Sequence, residues 1–588
     1  TIMGAGNLDP VAKGMADGAF LYTMGYSTNN YTNSNAFPSL YSNYDVVITS
    51  TSYSNGCNAG YTSLARDIDE QSNSFTNLIH VFSAGNNGSS SCTSPYISGT
   101  SGANWGNVTG GHKQAKNVIA VANLTSIGNL AASSSRGPAA DGRIKPDIGA
   151  KGSSVYSTEH DNTYGTKTGT SMSCPGIAGI MAQLYQAYKE LNNGQNPKSS
   201  IMKNILLNSA DDIGNPGPDF KNGWGEVNAL RAVNIIENNQ FFTDNITQGS
   251  NNTHSINIPQ GTKQVNIMVY WHDKEGSANA STALVNDLDI ELFDNSGNSV
   301  ELPWILDPTA NVTALNSNAT KGNDHLNNME QITLENPSSG LYNLVVSGYS
   351  IPFGPQEYTV SYIFSSEDVN LTYPVGGESM VPGETEAIRW DAHGTSTNFS
   401  LEYSTNGGAT WNIINSNISG TERHYNWSVV NNISSSALVR ISRSGYSDQS
   451  DEHFTIIDVP TNLNVYWPCP DSINISWNSV NSASSYEISM LGQKYMDSIH
   501  TTNNTNVWII NPTPNVIDSW FSVRAKYNDG KGRRAIAVNA QAINNICYGY
   551  GCTDPLAVNY DPNALVNNGS CCYNAGCMDQ TAINYDST

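Results

Sequence analysis

Gly169-Thr170-Ser171-Met172-Ser173-Cys174-Pro175-Gly176 is the stretch on which the reading of this chain turns. Immediately after it, Ile177, Ile180, Met181, Leu184 and Tyr188 recur at the spacing of one helix face. Proline has no N–H and fits best in a first helical turn, so the pattern predicts Pro175 in the first turn and Ser171 at the helix N-terminus. N–H groups there lack intrahelical acceptors and, with the helix dipole, favour developing negative charge. A generic serine in such a place is far more often a cap than a reactive group. The string around Ser171 has to decide between the two.

Outward from this stretch, residues 1–238 alternate short apolar runs with helical patterns. Val46-Val47-Ile48, Ile79-His80-Val81-Phe82 and Val118-Ile119-Ala120-Val121 read as buried strands, with a helix around Leu64 to Ile68 between the first two. This βαβ rhythm predicts a parallel sheet covered by helices. Ligands bind such folds at the C-terminal ends of strands, so the segments after each strand carry the interest. From residue 239 the rhythm becomes all-β, with strands such as Gln264–Tyr270 and Tyr342–Val346 and turns such as Asp294-Asn295-Ser296-Gly297. Pro-containing junctions near 366–382 and 459–461 divide it into 239–366, 367–457 and 458–542. Residues 543–588 hold a repeat offset by 25 residues, in which Cys547, Cys552, Asp554, Ala557, Asn559, Tyr560 and Asp561 recur as Cys572, Cys577, Asp579, Ala582, Asn584, Tyr585 and Asp586. So short and polar a segment needs disulfides, with or without calcium, to hold a shape.

Composition sets limits on function. The net charge of −23 repels phosphate backbones and argues against nucleic-acid binding. Charged residues are only 13% of the chain, and Asn, Ser, Thr and Gly carry the polar load, as in β-rich extracellular modules. Nine cysteines, five of them within 547–577, point to disulfides and an oxidising compartment. No run of 18 apolar residues occurs, so no membrane-spanning helix is expected. The chain opens at Thr1-Ile2-Met3-Gly4 without a basic n-region or a signal peptide, and reads as a fragment or a processed form.

The string 169–176 resembles the catalytic-serine signature of the subtilase family, matching at Gly169, Thr170, Ser171, Met172 and Pro175. Val81-Phe82-Ser83-Ala84-Gly85-Asn86-Asn87-Gly88 resembles the family's oxyanion-loop motif. Lys116–Val121, Ser134–Pro138 with Lys145-Pro146-Asp147, and Asn222-Gly223-Trp224-Gly225 resemble further family segments in the same order. The resemblance implies an α/β subtilisin-like parallel sheet and hydrolysis of peptide bonds through an acyl-enzyme on Ser171. Asn86 becomes the side-chain donor to the oxyanion. Ser52, Tyr53, Ser54, Ser83, Ala84 and Gly85 become substrate-binding positions around the S1 pocket. Tyr53-Ser54-Asn55 departs from the Gly-rich family pattern, so the resemblance gives no P1 preference. Cys57 follows one wall and Cys92 the oxyanion loop, and a bridge between them would tie the two sides together; two buried thiols are the alternative. Cys174 reads as a small core residue.

A serine hydroxyl needs a histidine to take its proton and an acid to orient that histidine. The family's His-Gly-Thr-x-Val-Ala-Gly and Asp-Ser/Thr-Gly strings do not occur in 1–588. Ala12-Lys13-Gly14-Met15-Ala16 resembles the segment just after the family's His helix, so the His and Asp are expected upstream of Thr1. His80 reads as a core residue, and His112 and His160 as solvated loop residues. This chain alone is therefore expected to be inactive, and the complete gene product a secreted endopeptidase acting on proteins and peptides, with no cofactor in catalysis.

Ala283-Leu284-Val285-Asn286-Asp287-Leu288-Asp289, Asn327-Asn328-Met329-Glu330 and Gly354-Pro355-Gln356 resemble the β-barrel domain of oxidatively stable alkaline subtilases. The resemblance implies structural calcium, with Asp287 and Asp289 as candidate oxygen ligands. Residues 367–457 resemble β-sandwich modules of secreted Bacteroidetes-type proteins, through Pro374–Glu378, Ile388-Arg389-Trp390, Tyr403–Gly408 and Val439-Arg440-Ile441. Residues 458–542 resemble a fibronectin type III sandwich, through Ile475-Ser476-Trp477 and Tyr486, with Phe521 where that family usually has Tyr. The full fold expectation is thus the α/β sheet, then all-β jelly-roll and β-sandwich domains, then a short disulfide-rich repeat. The competing function is a non-catalytic surface or adhesion protein that uses the protease fold as a platform, attached to the cell surface through its C-terminal modules.

Overall fold

The computed structural model describes residues 4, 6–23, 36–90, 92, 96, 104–469, 472–510, 519–542, 550–562, 564, 566–567 and 569–573. Thr1 to Met3, Cys547, Cys577 and the second copy of the C-terminal repeat from Asp579 onward lie outside the described residues.

Four parallel strands form the N-terminal sheet in the order β1-β2-β3-β4, comprising Ile48–Thr51, Ile79–Ser83, Ile119–Leu124 and Ile148–Lys151. β1 begins two residues later than the apolar run at Val46 suggests. Every residue of β2 and β3 is buried, as expected of parallel strands covered on both faces. On one face lies α3 (Thr170–Leu191), which packs Cys174, Ile177, Met181 and Leu184 into a core with Ile79, Val81, Ile119, Val121 and Ile148. On the other lies α2 (Ser63–Ser74), where Ala65 and Ile68 meet Phe82 and Val118. Alternate residues of β2 therefore feed the two cores, with Val81 in one and Phe82 in the other. A helix α1 (Ala36–Tyr44) precedes the sheet, and α4 (Ser199–Asn208) and α5 (Ala229–Glu237) complete the unit.

Antiparallel sheets come next. Two four-stranded sheets spanning Phe241 to Ser365 face each other over a core that includes Val265, Ile267, Val269, Leu288, Ile290, Leu344 and Val360. The strand Gln264–Tyr270 shows how this pair sits on the first unit. Val265, Ile267 and Val269 point into the sandwich, while Met268 and Tyr270 point into the α/β core. Polar pairs complete the junction. Asn204 Nδ2 on α4 donates to Met268 O (3.0 Å) and Thr359 O (3.1 Å), and Lys116 Nζ donates to Asp273 Oδ2 at 2.5 Å. One short helix, α6 (Val312–Asn316), interrupts the all-β pattern; Asn311 caps it by accepting from Ala314 N at 2.8 Å.

Two further sandwich cores lie beyond. One gathers Leu371, Ile388, Trp390, Phe399, Trp427 and Ile441, the other Ile473, Ile475, Trp477, Ile488, Phe521 and Val523. Phe521 is fully buried, and the Tyr486 hydroxyl accepts from Val480 N at 2.8 Å. In the C-terminal segment Cys552 is bridged to Cys571.

Candidate active site

The parallel register of β1 and β2 sets Thr51 beside Phe82, so both strands release their chains at the same end of the sheet. The helix α3 starts at that end. The thiol of Cys174, fully buried, lies 3.6 Å from Thr51 O and 3.5 Å from Val81 O, so the start of the helix packs against both strands. Burial pushes this thiol's pKa up.

Pro175 is the sixth residue of α3, in the second turn, and the expectation of a first-turn proline is corrected. The physical consequence falls on Ser171. In an α-helix the N–H of residue 175 would bond the carbonyl of residue 171, and proline has none. Ser52 Oγ fills the place, donating to Ser171 O at 3.4 Å. Ser52 thereby ties the segment after β1 to the segment that carries Ser171.

Asn86 is held from the other side. Its Oδ1 accepts from Thr170 N at 3.0 Å and from Thr170 Oγ1 at 3.1 Å. A backbone N–H can only donate, so this pair fixes the amide orientation: the oxygen faces the helix and the NH2 faces away from it. Thr170 N–H is one of the orphan donors of the helix start, and the next, on Ser171, has no acceptor among the described residues. Ser171 N–H and the Asn86 amide are thus two unspent donors at the N-terminus of one helix. Gly85 makes the approach possible. Its φ is +122°, and a Cβ there would stand 2.4 Å from Thr109 Oγ1.

The remaining expected substrate-binding positions differ in what they offer. Ser52 and Ser54 are exposed, and Tyr53 is half-buried, stacked on His112 with ring centroids 4.7 Å apart. Ser83 and Ala84 are buried. Ala84 N donates to Val121 O and Gly85 N to Thr170 Oγ1, while both carbonyls accept from protein N–H groups. The N–H groups of Ala84 and Gly85 are therefore spent within the protein, so these two residues offer a wall without free backbone donors. Cys57 and Cys92 are joined, with Cα atoms 5.5 Å apart.

The histidines are legible from sequence only in part. His80 is fully buried, with Nδ1 2.9 Å from Thr49 Oγ1, and burial lowers its pKa to about 4. His112 is not the solvated loop residue expected. It opens a short 3-10 turn, fully buried against Tyr53 and Phe82. Burial, then the neighbouring Lys113, lowers its pKa to about 3. His160 is exposed. None of them bonds Ser171 among the described residues.

Asp287 and Asp289 are brought together, and His325, which sequence reasoning missed, joins them. Its Nδ1 is 2.9 Å from Asp287 Oδ2 and 3.7 Å from Asp289 Oδ1. The three ligand atoms lie within 4.8 Å of one another. Asp287 Oδ1 and Asp289 Oδ1 are buried without hydrogen-bond partners. Burial, with Asp289 alongside, raises the Asp287 carboxyl to about 7. Two orphaned carboxylate oxygens at this spacing fit a divalent cation, and the imidazole extends the donor set beyond oxygen.

Residues 1–225 match the Subtilase family (Peptidase_S8). The C5a peptidase of Streptococcus pyogenes is 31% identical over 148 residues, covering 24% of this chain and 12% of its own length. The minor extracellular protease Vpr of Bacillus subtilis (strain 168) is 31% identical over 167 residues, covering 26% of this chain and 20% of its own. The chain thus spans 12% to 20% of the length of these relatives. Among solved structures, the prenylagaramide maturation protease PagA aligns over 37% of this chain and 70% of its own, with 18% identity and a TM-score of 0.29. These matches support a serine-protease unit of subtilase type within residues 1–225. No described helix is long and apolar enough to cross a membrane.

Proposed function

We propose that Ser171 is the nucleophile of a secreted, subtilisin-like serine endopeptidase and that Asn86 and the Ser171 N–H form its oxyanion hole. The observation that carries this reading is the pair of hydrogen bonds from Thr170 to Asn86 Oδ1, which leaves the amide NH2 without an acceptor among the described residues, beside an unclaimed helix-start N–H. Donors held in place before the reaction cost no reorganisation when charge develops, which is why such pairs stabilise tetrahedral intermediates. Ser52, Tyr53 and Ser54 on one side and Ser83, Ala84 and Gly85 on the other wall the S1 site. Secretion is supported by the bridged cysteines and by the similarity to a protease named extracellular.

The proton-transfer half of the machine is not among the described residues. His80 and His112 are buried and held neutral, and neither bonds Ser171. Residues 1–588 alone are therefore expected to show no peptide turnover, and labelling of Ser171 by a fluorophosphonate at the rate of an intact triad would overturn this. The codons upstream of Thr1 separate the enzyme from the platform alternative: Asp and His motifs there favour the enzyme.

The β modules 239–366, 367–457 and 458–542, of jelly-roll, β-sandwich and fibronectin type III type, would place the protease on its substrate or at the cell surface, with the cysteine repeat 543–588 beyond them. Asp287, Asp289 and His325 would hold a structural calcium or similar divalent ion, which would neutralise two adjacent buried carboxylates. Calcium is expected to raise the thermal midpoint of the chain by several degrees. Asp287→Ala should abolish that rise, and a calcium response unchanged in the variant would refute the site.

A further inference from the structure

Four lysines stand among the largest fully buried side chains: Lys113, Lys116, Lys145 and Lys203. Three have a carboxylate. Lys116 meets Asp273 at 2.5 Å, Lys145 meets Asp147 at 2.6 Å, and Lys203 reaches Asp147 at 3.3 Å. Lys113 meets none among the described residues. Its Nζ donates to Thr109 Oγ1 at 2.8 Å and to Ser83 Oγ at 3.4 Å, and the third N–H has no hydrogen-bond acceptor among the described residues. An ammonium taken out of water without a counter-anion is costly, and proteins ordinarily pair it. Burial accordingly lowers the pKa of Lys113 to about 7.

The position of this amine gives the missing anion a source. Residues 108–110 join the two walls of the cleft: Asn58 N donates to Val108 O, Gly110 N to Gly56 O, and Thr109 N to Ala84 O. Ser54, exposed at the cleft surface, donates to the same Thr109 Oγ1 that receives Lys113, at 3.1 Å. The ammonium thus lies one hydroxyl below the surface, on the line between the Ser54 wall and the Ser83 wall. The Ser54 and Ser83 hydroxyls can turn their protons toward an incoming anion, while Thr109 Oγ1 donates to Ala84 O at 3.3 Å and holds the Lys113 amine in place. Among the described residues the cleft floor is a set of donors around a cation with no carboxylate built in; the acidic group that acts on the amine is the buried Cys174 thiol, whose pKa burial raises.

We propose that Lys113 is the specificity-determining residue of this cleft and that it takes an acidic P1 side chain, aspartate or glutamate, of a peptide substrate. The inference rests on the protease reading of Ser171 and Asn86. The P1 carboxylate would supply the counter-anion that Asp273 and Asp147 supply to the other three lysines. An uncharged P1 isostere would leave the ammonium as it is in the free protein. The departure of Tyr53-Ser54-Asn55 from the Gly-rich wall fits this use, since Ser54 becomes the outermost of the donors.

Peptide aldehydes identical except at P1 test the assignment on the full chain, because hemiacetal formation reports Ser171-dependent binding without turnover. The Glu aldehyde is expected to bind at least about tenfold more tightly than the Gln aldehyde, as befits one charge-assisted hydrogen bond. Lys113→Met, with its fold checked by circular dichroism, should bring that ratio to about one. Equal binding of Glu and Gln aldehydes by the unmodified chain, both lost in Ser171→Ala, would overturn the inference and leave the protease reading standing. A Glu preference that survives in Lys113→Met would equally overturn it. Absence of any Ser171-dependent binding would sink both.

Discussion

Asn86→Leu is expected to slow acylation of Ser171 by about 100- to 1,000-fold, the cost of one preorganised oxyanion donor and equivalent to about 3–4 kcal/mol of transition-state stabilisation. The substitution keeps the heavy-atom count and branching of the side chain and replaces its polar atoms with methyl groups. The geometry gives it two effects. The developing oxyanion loses the Asn86 NH2, leaving the Ser171 N–H as its donor. The Thr170 N–H and hydroxyl also lose their common acceptor. Thr170 Oγ1 still accepts from Gly85 N at 3.1 Å, so the oxyanion loop stays anchored to the helix start. The loss should therefore appear in the acylation rate, with little change in the denaturation midpoint. A fall in both would mean that Asn86 is a structural clamp and not a donor to the reaction.

The second large effect is on stability. Lys116→Met is expected to lower the unfolding free energy by about 3–5 kcal/mol, because it strands one member of a buried ion pair. The Asp273 carboxylate accepts from Val285 N and Asn286 N, both at 2.8 Å, and from Lys116. Lys116 Nζ also donates to Lys274 O (2.5 Å) and Ala283 O (2.7 Å). These bonds run from the α/β unit to the first β-sandwich, so the pair is the polar anchor of that junction. Burial already raises the Asp273 carboxyl, opposed mainly by Lys116. Without Lys116 the carboxylate must take up a proton or the junction must open. The double variant Lys116→Met/Asp273→Leu removes both charges and should recover most of the loss. Tryptophan fluorescence during urea unfolding reads the change, since Trp271 is buried two residues from Asp273 and bonds Asn286 O. A double variant no more stable than the single one would show that the pair's worth lies in packing and not in charge compensation.

Legibility in the sequence depends on how local each signal is. The parallel sheet can be read because β2 and β3 are mostly apolar on both faces, with only His80, Ser83 and Asn123 polar, as strands covered on both faces tolerate. The helix after Ser171 can be read from its periodicity. Its exact start cannot, because the turn that precedes Pro175 is stabilised by Ser52, 119 residues away in sequence. His112 misleads for the same kind of reason. Its neighbours Gly110, Gly111 and Lys113 look like an exposed loop, and only the tertiary fold brings Tyr53 and Phe82 over the ring. His325 sits far along the chain from Asp289, in a polar stretch with no metal-ligand spacing to mark it. The lack of a carboxylate partner for Lys113 is invisible in sequence, since it depends on how several other segments surround one amine.

The proposed function stands on the role of Ser171 as the nucleophile of an oxyanion site built by Asn86. Fluorophosphonate labelling of the full chain, with the modified residue mapped by peptide mass spectrometry, addresses it most directly. The expected result is a single label on Ser171, absent in Ser171→Ala and slowed in Asn86→Leu, at a rate on the order of 10⁶-fold below that of a serine with an intact triad. Label on another residue, or a rate on Ser171 indifferent to Asn86, would contradict it.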